Sequence, residues 1–139
     1  MKYVLPNPSQ ITFHDKKVER FVEFLIGCIK VADASVEGFK SALDNDPFIA
    51  LQDSAKLKLA AARMRTAKCY LELALDLVAN GPDKTWAYIG ATIRKDLDTR
   101  VVYHASRPPR STNSESDEMA GVELRAMAEL LKRFQDGEF

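Results

Sequence analysis

Lysine and arginine are the residues of this chain whose spacing is most open to chemistry. Between Ser54 and Leu71 stand Lys56, Lys58, Arg63, Arg65 and Lys68 with no acid among them. On a helix, Lys58, Arg65 and Lys68 share one side, and Lys56 and Arg63 share the other. Just upstream, Asp33, Glu37, Asp44, Asp46 and Asp53 face Lys40 alone. Two readings fit this separation. The cations are the two solvated rims of a buried apolar seam, or they are a track for phosphates or for an acidic partner protein. A second basic group, Arg94, Lys95, Arg100, Arg107 and Arg110, is diluted by Asp96 and Asp98. It is interleaved with Trp86, Tyr88, Tyr103 and His104. Charge plus stacking rings can grip a single-stranded nucleic acid. The alternative makes Trp86 a core anchor and the arginines a solubilising surface.

Catalytic and metal-binding signals are sparse. The chain has two histidines, His14 and His104, and two cysteines, Cys28 and Cys69, none at metal-ligand spacing. No zinc site is therefore expected. There is no phosphate loop, dinucleotide fingerprint or nucleophile elbow, and no cofactor is expected. Both thiols read as free, small core residues. The run Arg100-Val101-Val102-Tyr103-His104 puts an arginine and a histidine one turn apart if it is helical. It resembles the motif of the HEPN family of helical ribonucleases, with a shorter gap and Val101 where that family has a polar residue. The resemblance covers this run and an all-helical context. It implies Arg100 and His104 as catalytic residues meeting their copies across a dimer to cut RNA.

Twenty basic and twenty acidic residues cancel, which weighs against a protein built to coat nucleic acid. One domain is the default at 139 residues, and that length can bury a core without staples. Met1 to Pro8 has no apolar leader, and no window is long and apolar enough to span a membrane. A cytoplasmic protein is expected.

The elements that must position these groups are helices. Val18, Val22, Leu25, Ile29, Ala32, Val36, Phe39 and Leu43 recur every three or four residues. So do Leu57, Ala60, Met64, Ala67, Leu71, Ala74 and Val78. Each set marks one face of a helix about 37 Å long. A short polar break joins the two, so they should fold back as an antiparallel hairpin. Residues 1–15, with Pro6 and Pro8, read as an extended arm, and Asp15 as the cap of the first helix. Asp46-Pro47 is a helix-start signal, with a turn through Leu51 before a second start at Asp53 or Ser54. Asn80-Gly81-Pro82 ends the second helix through a left-handed residue. Tyr70, Leu73 and Leu77 give that helix a second apolar face, so it should be central.

Residues 85–104 fit a helix, with Trp86, Ile89, Ile93, Leu97 and Val101 in register and Asp83 as cap. Their β-branched and aromatic content leaves a β-hairpin as the alternative. Residues 106–116 read as an exposed loop around Pro108-Pro109. A last helix carries Ala120, Leu124, Met127, Leu131 and Phe134, with Gly137 after it. The expected fold is an all-α bundle of about four helices on a long hairpin, spanning residues 16–139. Ala60, Ala67 and Ala74 allow another helix to come close, in this chain or in a second copy. The leading functional expectation is a non-catalytic interaction protein, an adaptor, inhibitor or small subunit, binding a protein partner through charged helix faces. The alternatives are a nucleic-acid-binding subunit of a ribonucleoprotein or defence complex and the HEPN-like ribonuclease. The candidate binding residues are Lys58, Arg65, Lys68, Arg94, Arg100, Arg107 and Arg110.

Overall fold

A computed structural model describes residues 4–46, 54–106 and 114–139. The Asp46-Pro47 start with its turn through Leu51, the Asp53 start, Arg107, Arg110 and most of the 106–116 loop lie outside these residues. So do the side chains of Leu43, Ser54 and Ala120. Four helices form: α1 (Lys16–Asn45), α2 (Ser54–Asn80), α3 (Trp86–Ser106) and α4 (Ser114–Gln135). No strand forms among the described residues. Residues 86–106 are a helix, because Ile89, Ile93 and Leu97 bury one three-to-four-spaced face completely.

The N-terminal arm is not extended throughout. Asn7 caps a 3-10 turn at Pro8–Gln10, its side chain accepting from the Ser9 amide at 3.1 Å. Leu5, Ile11 and Phe13 then lean on the core. Asp15 starts α1 as expected, with Oδ1 accepting from the Lys17 amide at 2.9 Å. Its Oδ2 accepts from the Trp86 amide at 2.8 Å, so one carboxylate serves the first turns of two helices. Asp83 instead closes the preceding turn on the Thr85 amide at 2.9 Å. Both carboxyls are held below their ordinary range: Asp15 by the Trp86 and then the Lys17 amide, Asp83 by Thr85.

The end of α2 needs a correction. Gly81 is not left-handed; Gly137 alone among the described residues has positive φ, at 74°. Gly81 is required by close approach, since a Cβ there would lie 2.4 Å from the Leu77 carbonyl oxygen. Lys84 donates to the free carbonyls of Val78 and Ala79, completing the cap. Gly137 ends α4 in a Schellman turn, with the Glu138 amide on the Arg133 carbonyl at 3.1 Å and the Gly137 amide on Phe134 at 3.2 Å.

The Schellman turn sends Phe139 back over Phe134, with ring centroids 4.9 Å apart, and over Phe21 at 5.1 Å. Trp86 stacks on Phe134 at 6.0 Å and tilts against Phe21 at 5.2 Å. This aromatic cluster ties one end of the bundle together, and makes Trp86 a core anchor. Above it, Val22, Leu25 and Ile29 of α1 meet Leu71, Ala74 and Val78 of α2, the antiparallel hairpin expected. As its second apolar face requires, α2 is central and packs against all three other helices. Tyr70, 1% exposed, fills that second face. The core stops short of the hairpin tip: beyond Ala32 no described side chain of α1 is fully buried.

Candidate interaction cleft and charged faces

The basic side chains of α2 turn largely onto α4. Arg63 grips Glu129 through two bonds, Nε to Oε2 at 2.9 Å and Nη2 to Oε1 at 3.0 Å. Arg125 approaches the same carboxylate at 3.4 Å. Arg65 is paired with Glu123. These forked contacts hold α4 on α2 and draw Glu129 below its ordinary pKa, chiefly through the Arg63 bond. Of the expected track, Arg65 is thus engaged inside the bundle, while Lys58 and Lys68 sit half-buried beside it.

On α3, Arg100 binds Asp96 at 2.9 Å and lies 5.8 Å above the Tyr70 ring. The Tyr70 hydroxyl donates to Asp96 at 2.8 Å. Burial, then the Asp96 bond, pushes the phenol pKa up, so Tyr70 stays a donor. His104 is one turn beyond, and its Nδ1 is buried with no hydrogen-bond partner among the described residues. The Arg100–His104 spacing is therefore helical, but the arginine is committed to Asp96 and Tyr70. Arg94 and Lys95 are exposed and make no ion pair among the described residues. Tyr88 and Tyr103 stand exposed on the same helix, at 37% and 64%.

Charge patterns do not reveal one concavity of this bundle. Beyond the aromatic cluster, α1 and α4 part over α2, leaving an open cleft of about 920 Å³. Ala32, Ala60, Ala67, Ala126 and Leu130 give it an apolar floor, and Arg63, Glu129, Lys132 and Arg133 a charged rim. Thr66 on the floor is 7% exposed, and its hydroxyl makes no hydrogen bond among the described residues. Cys28 also lines it, and burial pushes its thiol pKa up. The signal for the cleft is present in α1. Phe24, Cys28, Val31, Ser35, Gly38 and Ala42 form a second stripe at four-three spacing, hidden by its small residues.

No described group of His, Cys, Asp or Glu could hold a metal ion, and no described helix is long and apolar enough to cross a membrane. Comparison of the chain with protein-family models, with curated proteins and with solved structures finds no match.

Proposed function

We propose that this chain is a non-catalytic helical interaction protein, an adaptor, inhibitor or small subunit of an assembly, that receives an amphipathic helix in the α1–α4 cleft. The cleft itself carries this reading: an apolar floor of small residues, open in the folded chain, beneath a rim of mixed charge. Such a floor lets a helix backbone come close, and the apolar face of that helix loses its water. The size is within the range of specific binding sites. The rim then sets partner and register, because exposed Lys132 and Asp136 carry opposite charges on it, while Arg63 and Glu129 are already paired with each other.

The test is fluorescence anisotropy of a labelled designed peptide, helical, with leucine at its a and d positions and alternating Glu and Lys elsewhere. Saturable binding that Gly27→Arg abolishes supports the cleft. Gly27 lines it, and nothing lies within 4 Å of a Cβ at that position, so the variant should fold. No binding, or binding indifferent to Gly27→Arg, refutes it.

A second reading is favoured by α3. Arg94 and Lys95, without acidic partners among the described residues, are exposed on the helix that also carries exposed Tyr88 and Tyr103. Here the chain tracks single-stranded nucleic acid by charge and stacking. A salt titration against labelled RNA and DNA tests it: steep weakening with salt, lost in the Arg94→Glu, Lys95→Glu double variant, is the expected result. Cut products that vanish with His104→Ala would point to the ribonuclease instead.

A further inference from the structure

We infer that Phe21, Phe24, Trp86 and Phe134 form a receiving niche for one aromatic side chain, and that Phe139 fills it in cis. The ligand in trans is a segment of another protein with an acidic residue followed by phenylalanine, which takes the place of Phe139. The niche stands whether or not a helix docks on the floor of the α1–α4 cleft.

The Phe139 ring shows what the niche accepts. Its centroid lies 4.9 Å from Phe134, 5.0 Å from Phe24, 5.1 Å from Phe21 and 6.3 Å from Trp86. The interplanar angles run from 61° to 82°, so the rings meet edge to face, an arrangement that aromatic pairs prefer. One side chain thus touches rings from α1, α3 and α4.

The walls of the niche hold one another without it. Trp86 and Phe134 stack at 6.0 Å, and Phe21 packs on Trp86 at 5.2 Å and on Phe134 at 5.5 Å. Phe24 has its own support, since the Arg133 guanidinium lies 5.1 Å from its ring centroid. A site with walls fixed in this way is preorganised, and little ordering is left to oppose a ligand.

The cis occupant is held more lightly. It follows the last turn of α4 and is turned back by Gly137 at φ 74°. Its polar ties are the two Schellman amides, at 3.1 and 3.2 Å, and the Glu138–Arg133 pair at 3.4 Å. The side chains of that pair are 47% and 49% exposed, so the pair is weak. A short segment with few ties opens locally while the rest of the fold stays closed. No Cα of α1 comes within 8 Å of a Cα of α4 among the described residues, so backbone packing does not seal this end of the bundle. Phe24, Arg133 and Glu138 also line the cleft, which gives an entering chain a route to the niche.

The occupant also defines the chemistry of the ligand. A phenyl ring enters the niche, and the carboxylate one residue before it meets Arg133. A trans segment with the same order of residues makes the same contacts. Tethered Phe139 competes with it at an effective concentration in the millimolar range, on the order of 1 mM.

Fluorine NMR of a synthetic peptide copying Gln135–Phe139, blocked at both ends and carrying 4-fluorophenylalanine at its last position, tests the inference. The expected result is saturable binding to the Phe139→Ala protein, at least about tenfold weaker in the wild-type chain, where the niche is filled. The peptide should also return the Trp86 fluorescence of Phe139→Ala toward its wild-type value, which places it in the niche. Glu138→Lys within the peptide should weaken binding about threefold. Gly137→Ala in the protein leaves every ring in place, and its Cβ meets nothing within 4 Å, but alanine is strained at this φ. That variant should loosen the cis segment and bind the peptide about fivefold more tightly than wild type. Helical circular dichroism checks the fold of each variant. No binding to folded Phe139→Ala at about 10 mM peptide, well above the competing effective concentration, would overturn the inference. So would equal binding to wild type, binding that leaves Trp86 unchanged, or equal binding of the lysine peptide. If Phe139→Ala does not fold, Gly137→Ala decides alone, and a peptide affinity no higher than wild type overturns the niche as a binding site.

Discussion

Gly90→Ala should destabilise this protein although it replaces glycine by alanine inside a helix. At an exposed helical site the exchange is stabilising by about 1 kcal/mol, because alanine loses less backbone entropy on folding. Gly121 on α4 is such a site: it is exposed, and a Cβ there meets nothing within 4 Å. For 139 residues, unfolding entropy of about 2.1 cal/mol/K per residue makes 1 kcal/mol worth about 3 °C in Tm. Gly121→Ala should therefore raise Tm by about 3 °C. Gly90 is buried on α3, and a Cβ there would lie 2.8 Å from Cε2 and 2.9 Å from Cζ2 of Trp86. The indole cannot step aside cheaply, being held by Phe21, Phe134 and Phe139. Overpacking of this kind costs about 1–3 kcal/mol. The net effect runs from about zero to a loss of about 2 kcal/mol, or up to about 7 °C in Tm. Trp86 is the sole tryptophan of the chain, so near-ultraviolet circular dichroism and fluorescence report on its ring directly. The expected pattern is a higher Tm with unchanged tryptophan signals in Gly121→Ala, and altered signals with no gain in Tm in Gly90→Ala. A Gly90→Ala variant as stabilised as Gly121→Ala, with native tryptophan signals, would refute the packing described for Trp86.

Three other perturbations follow from the polar contacts. Asp15→Ala should lower Tm near neutral pH, since two helix starts lose their acceptor. Because the folded carboxyl is held below its ordinary value, its contribution is present above the normal carboxylate range and fades as pH falls through the folded pKa, so a Tm series over acid pH should show wild type and variant converging. A double-mutant cycle on Arg63 and Glu129 should give a coupling of about 0.5–1 kcal/mol, small because both side chains are over a third exposed, and screened by salt. Its acid limit has the same sign as that of Asp15, because Glu129 is also depressed. Tyr70→Phe should cost about 1.5 kcal/mol in chemical denaturation, through loss of a hydrogen bond to a charged acceptor. It should also remove the tyrosine that resists ionisation in an ultraviolet titration, and that tyrosine's contribution is present below the ordinary phenol pKa and lost above it.

The helices were legible in residue order because their causes are local. The four-three recurrence of Val18 through Ala32 and of Ala60 through Val78, the Asp15 cap and the position of Gly137 each act within a turn or two of chain. The central place of α2 was legible too, from Tyr70, Leu73 and Leu77 outside its main seam. The candidate site was much less so. A run of cations reads alike whether it faces solvent or a neighbouring helix. Lys56 to Lys68 looked like a track, but Glu129 and Glu123, roughly sixty residues away, engage Arg63 and Arg65. Asp15 in the same way shows its nearby role on Lys17 and conceals its distant one on Trp86.

By itself the sequence determined the hairpin of α1 and α2 and the residues able to form its core, since periodicity and capping need no knowledge of neighbours, while at residues 85–104 it left helix and β-hairpin both open. Only the tertiary structure decided which arginines are occupied, that Trp86 is wedged against Gly90, and that α1 and α4 part to leave a cleft over Thr66. Those outcomes depend on the angles at which helices cross, and crossing angles arise from all the side chains at a contact together.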